Sequence, residues 1–270
     1  MSGEAFWGSD SYRFFWQKGS TENNYEWAGM AMKAGATVAG IPALGTDSFA
    51  ADTRNSSPGT YWRFTRHGMS LGFSGEWHHI AQVYDDTTPE LRLYVDGVNV
   101  GTKYGPSGTR RGEQTTPLRI GGRVESTSLN WRGRVGPAAF FDYALSGARI
   151  AAHAAAGTAS AHAAAVNADS PEAFWRLDEA SGTLADDTGN GHTGTAGGVG
   201  GWAIGYREGG PWSGSYALGF NGDAWVEVPH HTVFSSTSFT MCGWLRCEPD
   251  PSSSGLHIGS LRFGSTGPGW

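Results

Sequence analysis

The clearest pattern in the chain is a period of two between residues 76 and 102, "EWHHIAQVYDDTTPELRLYVDGVNVGT". Ile80, Gln82 and Tyr84 fall on one side of an extended segment, and Ala81, Val83 and Asp85 on the other. In "LRLYVDG", Leu91, Leu93 and Val95 face one way and Arg92 and Tyr94 the other. Such alternation predicts half-buried β-strands. Asp96-Gly97 suits the positive φ values that a tight primed hairpin needs, and "VNV" starts the return strand. "PLRIGG", "GRVGPAAFFD" and "YALGFNGDAWVEVP" predict further strands punctuated by Gly and Pro.

One stretch breaks the period. Residues 146–175 are Ala-rich, and Ala is the best helix former. Ser146 is a suitable N-cap and Gly157 a suitable stop, while Pro171 closes the segment. The expectation is one short surface helix, then an Ala-rich linker over 158–170, with His153 and His162 facing solvent.

Composition narrows the class. With 42 Gly, 12 Trp and 16% charged residues in 270, the chain reads as turn-rich all-β protein. The net charge of −6 argues against a nucleic-acid partner, and no apolar run approaches the ~20 residues that span a bilayer, so no membrane insertion is expected. The start, "MSGEAFWGSDSYRFFWQKGS", lacks a basic stretch followed by an apolar core, so it does not read as a secretory signal. Cys242 and Cys247 sit five residues apart on opposite faces of an extended strand, about 16 Å apart along it. A disulfide needs Cα atoms within about 7 Å, so two free thiols are expected, one buried and one at an edge, as in a reducing compartment.

Large aromatics fill cores, and Trp62, Trp131, Trp175 and Trp225 lie within strand patterns. The adjacent pairs His78-His79 and His230-His231 would point to opposite faces on a strand, which disfavours either as a metal pair. "SGEAFW" (2–7) and "SPEAFW" (170–175) nearly repeat, as do "KGSTENNYEW" and "FGSTGPGW".

Several segments together resemble the laminin-G-like, concanavalin A-like jelly roll. "EWHHIAQVYD" with "LRLYVDGVNVGT" looks like its central hairpin, and "LRIGGR" with "WRGRVGPAAFFDYALSGARIAAHAAAG" like its closing segment. "EAFWRLDEASGTLADDTGNGHTGTAGG", "ALGFNGDAWVEVP" and "SFTMCGWLRCEP" resemble its opening strands. Here the closing part comes first: residues 1–157 hold the later strands, 158–170 a linker, and 171–270 the opening strands. Half a sandwich would leave an apolar face and open strand edges in water. The expected fold is therefore an all-β antiparallel sandwich completed in permuted or strand-exchanged order, or else two partial units of a tandem array.

The resemblance implies non-enzymatic carbohydrate or surface recognition. Glucanases of this fold carry Glu-x-Asp-x-Glu, and the chain has no such run. Loop groups suited to a glycan are Asn23, Asn24, Tyr25 and Trp27, then Tyr104, Arg110 and Arg111. Many laminin-G-like modules bind calcium at the sandwich rim. Asp178, Asp186, Asp187, Asn190 and Asp223 are the oxygen donors that would serve here, although such residues also form turns. The Ala-, Gly- and Arg-rich style and "ADSPEAFWRLDEASG" resemble minor tail proteins of bacteriophages. That setting implies a virion location, virion proteins or further copies of the chain as partners, and a host-surface glycan as ligand. The alternatives are an extracellular module, a purely structural virion decoration using strand exchange and, against the missing carboxylate run, a glycoside hydrolase.

Overall fold

The computed structural model describes residues 12–19, 27–33, 48–54, 61–66, 75–104, 116–122, 130–200 and 204–247. These form two antiparallel sheets packed face to face. Strands β1 (Tyr12–Gly19), β2 (Trp27–Lys33), β3 (Ser48–Arg54) and β4 (Tyr61–Arg66) belong to the first sheet. Then β5 (Trp77–Asp85), β6 (Glu90–Val95) and β7 (Val98–Tyr104) form a meander in the second. β8 (Leu118–Ile120) returns to the first sheet and β9 (Arg132–Phe141) to the second. Helices α1 (Gly147–Ala154) and α2 (Ala159–Asn167) follow. The remaining strands are β10 (Ala173–Trp175), β11 (Thr195–Gly198), β12 (Ile204–Gly209), β13 (Tyr216–Asn221), β14 (Ala224–Val228) and β15 (Phe239–Cys247).

The order of strands answers how the two parts of the chain relate. The first sheet runs β11-β14-β8-β1-β2-β3-β4, and the second β12-β13-β9-β15-β5-β6-β7, with β10 paired to β9. Late strands are thus interleaved with early ones in both sheets, within one chain. β15 occupies a central place, with Trp244 opposite His79 of β5 and Cys242 opposite Ala139 of β9. The contact is close: Gly133 has φ 128°, and a Cβ there would stand 2.3 Å from the Arg246 carbonyl oxygen. Lys18 adds a buried pin, its Nζ bonding the Thr116 carbonyl and, at 2.9 Å, Nδ1 of His230.

The hairpin forms as its pattern predicts. Asp96 (φ 49°) and Gly97 (φ 79°) make the turn between β6 and β7. The Asp96 carboxylate reaches back to His78 Nδ1 (2.7 Å) and the His79 amide (2.9 Å). The adjacent histidines do diverge, yet neither stands free in solvent: His79 is fully buried, and the His78 side chain is only 12% exposed.

The alternating faces both find cover. Ile80, Tyr84, Leu91, Leu93 and Val95 join Trp131, Trp175, Phe220 and Met241 in the core between the sheets. On the outer face, Ala81, Val83, Tyr94, Phe141 and Cys242 pack under Ile150, Ala163 and Val166 of the helices. β5 is therefore buried on both sides rather than half-buried. Trp225 is buried as well, under the Arg119 guanidinium at 4.1 Å; nothing is described of the Trp62 side chain.

Three expectations are corrected here. Residues 158–170 are not a linker: Thr158 caps a second helix by accepting from the Ala161 amide at 3.1 Å, and that helix packs on the sheet. His153 (0% exposed) and His162 (2%) face the sheet, not solvent. Neither cysteine is in a disulfide, as expected, but neither stands at an edge: both are buried, Cys242 under the helices and Cys247 between the sheets. The second helix and the burial of His153, His162 and Cys242 share one cause, the second apolar face of β5, β9 and β15, which draws both helices down; Cys247 is buried instead in the core between the sheets. Ser146 does cap α1, as expected. No helix among the described residues is long and apolar enough to cross a membrane.

Candidate functional site

Where the helices end and the second sheet begins, the chain leaves a cleft of about 340 Å³. Phe174 of β10 and Ala163 of α2 line its apolar interior, beside Trp212 and Pro137. Ser160, Arg176, Asp178, Ser215 and Tyr216 supply its polar groups. The dimensions and the mix of aromatic faces with a few polar groups are those of a small-molecule site.

Trp212 is placed firmly. Its indole Nε1 donates to the Ala156 carbonyl (2.7 Å), tying the β12–β13 loop to the helical segment. Its amide donates to Ser215 Oγ (2.9 Å), and that hydroxyl donates back to the Trp212 carbonyl (2.7 Å). Edge-on packing against Trp244 (centroids 5.2 Å apart) and a tilted contact with His162 (5.1 Å) fix the ring from behind. Tyr216 is 42% exposed, with Arg207 over its ring at 5.1 Å. Arg176 is anchored by Asp187 Oδ2, at 2.9 Å from Nε and 2.6 Å from Nη2, with its side chain 48% exposed. Ordered aromatic faces beside a guanidinium, a carboxylate and hydroxyls can stack on a sugar ring and bond its hydroxyls.

The expected glycan residues lie elsewhere. Asn23, Asn24, Tyr25, Arg110 and Arg111 fall outside the described residues. Trp27 opens β2 in the first sheet, and Tyr104 closes β7, 69% exposed at an edge of the second. Tyr104 is not among the described residues that line the cleft, and nothing is described of the Trp27 side chain.

The five calcium candidates each have their own surroundings in the structure. Asp178 lines the cleft. Asp187 holds Arg176. Asn190 Nδ2 donates to the Glu172 carbonyl (3.0 Å), and the Asp223 amide donates to Asn221 Oδ1 (3.0 Å). Asp186 spends both carboxylate oxygens on its own loop. Oδ1 accepts from the Phe174 amide (3.0 Å) and from the Thr188 amide (3.1 Å) and hydroxyl (2.8 Å), and Oδ2 from the His192 amide (3.0 Å). Burial pushes its pKa up, but these bonds outweigh burial and hold it below the usual aspartate value. Among the described residues, these carboxylates do not converge on one point.

Sequence reasoning missed the cleft because no local motif marks it: Pro137, Ala163 and Arg176 come from segments separate from one another and from the turn that carries Trp212 and Tyr216. The one available hint was "GGPWSGS", a tight turn presenting a tryptophan.

Two stacked antiparallel sheets with a cleft of this make-up define a concanavalin A-like β-sandwich protein. Residues 8–151 match the family model Laminin_G_3, described as the concanavalin A-like lectin/glucanases superfamily, and the chain belongs to that family. No curated protein and no solved structure matches the chain.

Proposed function

We propose that the protein is a non-enzymatic recognition module that binds carbohydrate in the Trp212–Tyr216–Arg176 cleft. The observation that carries this reading is the pairing of ordered aromatic faces with Arg176 and Asp178 in one accessible cavity. Hydrolysis finds less support. A retaining glycosidase needs two carboxyl groups about 5–5.5 Å apart, and Asp178 is the one carboxylate among the described lining residues.

The setting we propose is a bacteriophage virion, with a host-surface glycan as ligand. Two buried cysteines outside any disulfide suit folding in a reducing cytosol before release. Its partners would then be other virion proteins or further copies of the chain.

A glycan array followed by calorimetry on the best ligand tests the reading. Tyr216→Ala and Arg176→Ala are expected to weaken binding at least tenfold each, about 1.4 kcal/mol, with the melting temperature nearly unchanged because both side chains are substantially exposed. Binding that both variants leave intact would move the site elsewhere. A chain that binds no glycan and grows in mass with concentration would instead be a structural decoration.

A further inference from the structure

Under the two helices lies a group of side chains that an ordinary apolar core has no use for. His79 on β5, His153 on α1, His162 on α2 and Cys242 on β15 are all at most 2% exposed. Register brings two of them together: Cys242 stands opposite Ala81, two residues from His79, so both project from the same face of adjacent strands. The helices place the other two above. The three imidazole centroids are 6.1, 6.2 and 6.3 Å apart, almost an equilateral triangle. Ligating atoms of His79, His153 and Cys242 all lie within 4.8 Å of one another.

The hydrogen bonding of these groups is incomplete in a particular way. Among the described residues, neither ring nitrogen of His79 or His162 has a hydrogen-bond partner, nor does Nδ1 of His153. Buried donors and acceptors left unmet are costly, and phenylalanine would fill similar space without that cost. His153 is the exception at one atom. Its Nε2 donates to Asp169 Oδ2 (2.7 Å), while Asp169 Oδ1 accepts from Arg149 Nε (2.6 Å). In that tautomer Nδ1 carries the lone pair, although the nearby Ala165 backbone favours a proton on the ring. A carboxylate holding the far nitrogen of an imidazole is how metal-ligating histidines are oriented. His79 is fixed through its backbone, its amide on Asp96 Oδ1 and its carbonyl accepting from the Asp96 amide (2.7 Å).

We propose that His79, His153 and Cys242 form a buried site for a divalent cation of the zinc class, with His162 beside it. Nitrogen and sulfur donors select such ions over calcium or magnesium. Zinc–nitrogen bonds of about 2.0–2.1 Å and zinc–sulfur bonds of about 2.3 Å need the donors to close in by about 1 Å. Burial keeps the imidazoles in the ligating neutral form, with His162 lowered to about 3. The Cys242 thiol, pushed up to about 12 by burial, gives its proton to solvent as the sulfur bonds the cation. The three donors are buried under both helices, away from solvent, so the ion would be structural. It would tie β5, β15 and α1 together beside His162, on which Trp212 packs.

Metal content of the protein as purified is the first measurement, and the second is the full chain unfolded, stripped and refolded with Co²⁺. The expected result is one metal per chain, tetrahedral d–d bands, and a near-ultraviolet thiolate-to-cobalt band that Zn²⁺ removes. The melting temperature should rise by about 5–10 °C at a hundredfold excess over Kd. Cys242→Ala should lose the thiolate band, and Asp169→Asn should keep it with 10–100-fold weaker affinity. Should a variant fail to fold, the wild-type spectrum decides alone. Wild-type chain with neither bound metal nor a thermal shift would overturn the site. So would cobalt binding that Cys242→Ala leaves unchanged, which would place the ion on other histidines such as the His192–His231 pair (ring centroids 4.7 Å apart).

Discussion

Residues 1–157 expressed alone are expected to show no cooperative thermal transition and no near-ultraviolet circular dichroism, and co-expression with residues 158–247 is expected to restore both. The reason is the place of the late strands. β15 separates β5 from β9, so without it the second sheet of the fragment has a gap at its centre. β14 and β13 cover the flanks of β8 and β9. With them go Trp175, Leu218, Phe220, Val226, Phe239, Met241 and Leu245 from the core between the sheets. A fully buried side chain of this kind contributes roughly 1.5–3 kcal/mol, and whole domains are stable by only about 5–15 kcal/mol. The loss exceeds what the fragment could retain. A sharp, concentration-independent melt of residues 1–157 would show that the early strands make a sandwich of their own, and the interleaved topology would then be wrong. Because both sheets close within one chain, the full protein is also expected to run as a monomer at micromolar concentration.

How much of this was legible in the sequence depends on contrast. The β5–β7 meander could be read because apolar and polar residues alternate there and Asp96-Gly97 has few other uses. The sandwich could be read because half of it would expose too much apolar surface. What could not be read was the layer of helices. In "SAHAAAVNAD" alanine occupies both faces of the helix, so nothing distinguishes the buried side, and His162 looked like a solvated spacer. The contradicting signal lay far away, in Ala81 and Val83: an outer strand face carrying small apolar residues needs a cover. The acidic stretch 178–192 was ambiguous for another reason. Asp, Asn and Gly serve cation sites and turns alike, and only the positions of the Phe174, Thr188 and His192 donors decide between these uses. The cleft is a product of tertiary assembly, and no window of sequence contains it.

Asp186 is where the loop, the core and the cleft depend on one carboxylate. Asp186→Ala is expected to lower stability by about 3–5 kcal/mol, since it removes four hydrogen bonds to a charged acceptor and leaves the Phe174 and His192 amides unmet. At about 2–4 °C per kcal/mol for a chain of this size, the melting temperature should fall by about 10 °C. Asp186→Asn should lose less. It can keep the acceptor facing Phe174 and Thr188, but it sets an NH₂ against the His192 amide. The damage should spread, because the His192 carbonyl accepts the Trp175 indole N–H (2.7 Å) in the core, and Phe174 lines the cleft. Glycan affinity should therefore drop in Asp186→Ala although the side chain does not line the cleft. The pH dependence has a definite sign. The folded pKa lies below the unfolded aspartate value of 3.8, so between the two the unfolded chain binds more protons. The contribution of Asp186 is complete above pH 3.8 and is lost as pH falls through the folded pKa. Chemical denaturation from pH 7 to pH 2 should show this acid limb in the wild type and a shallower one in Asp186→Asn, whose amide does not titrate. Identical limbs in the two proteins would mean that the four bonds do not form in solution, and that the turn is held by Arg176–Asp187 and the glycines instead.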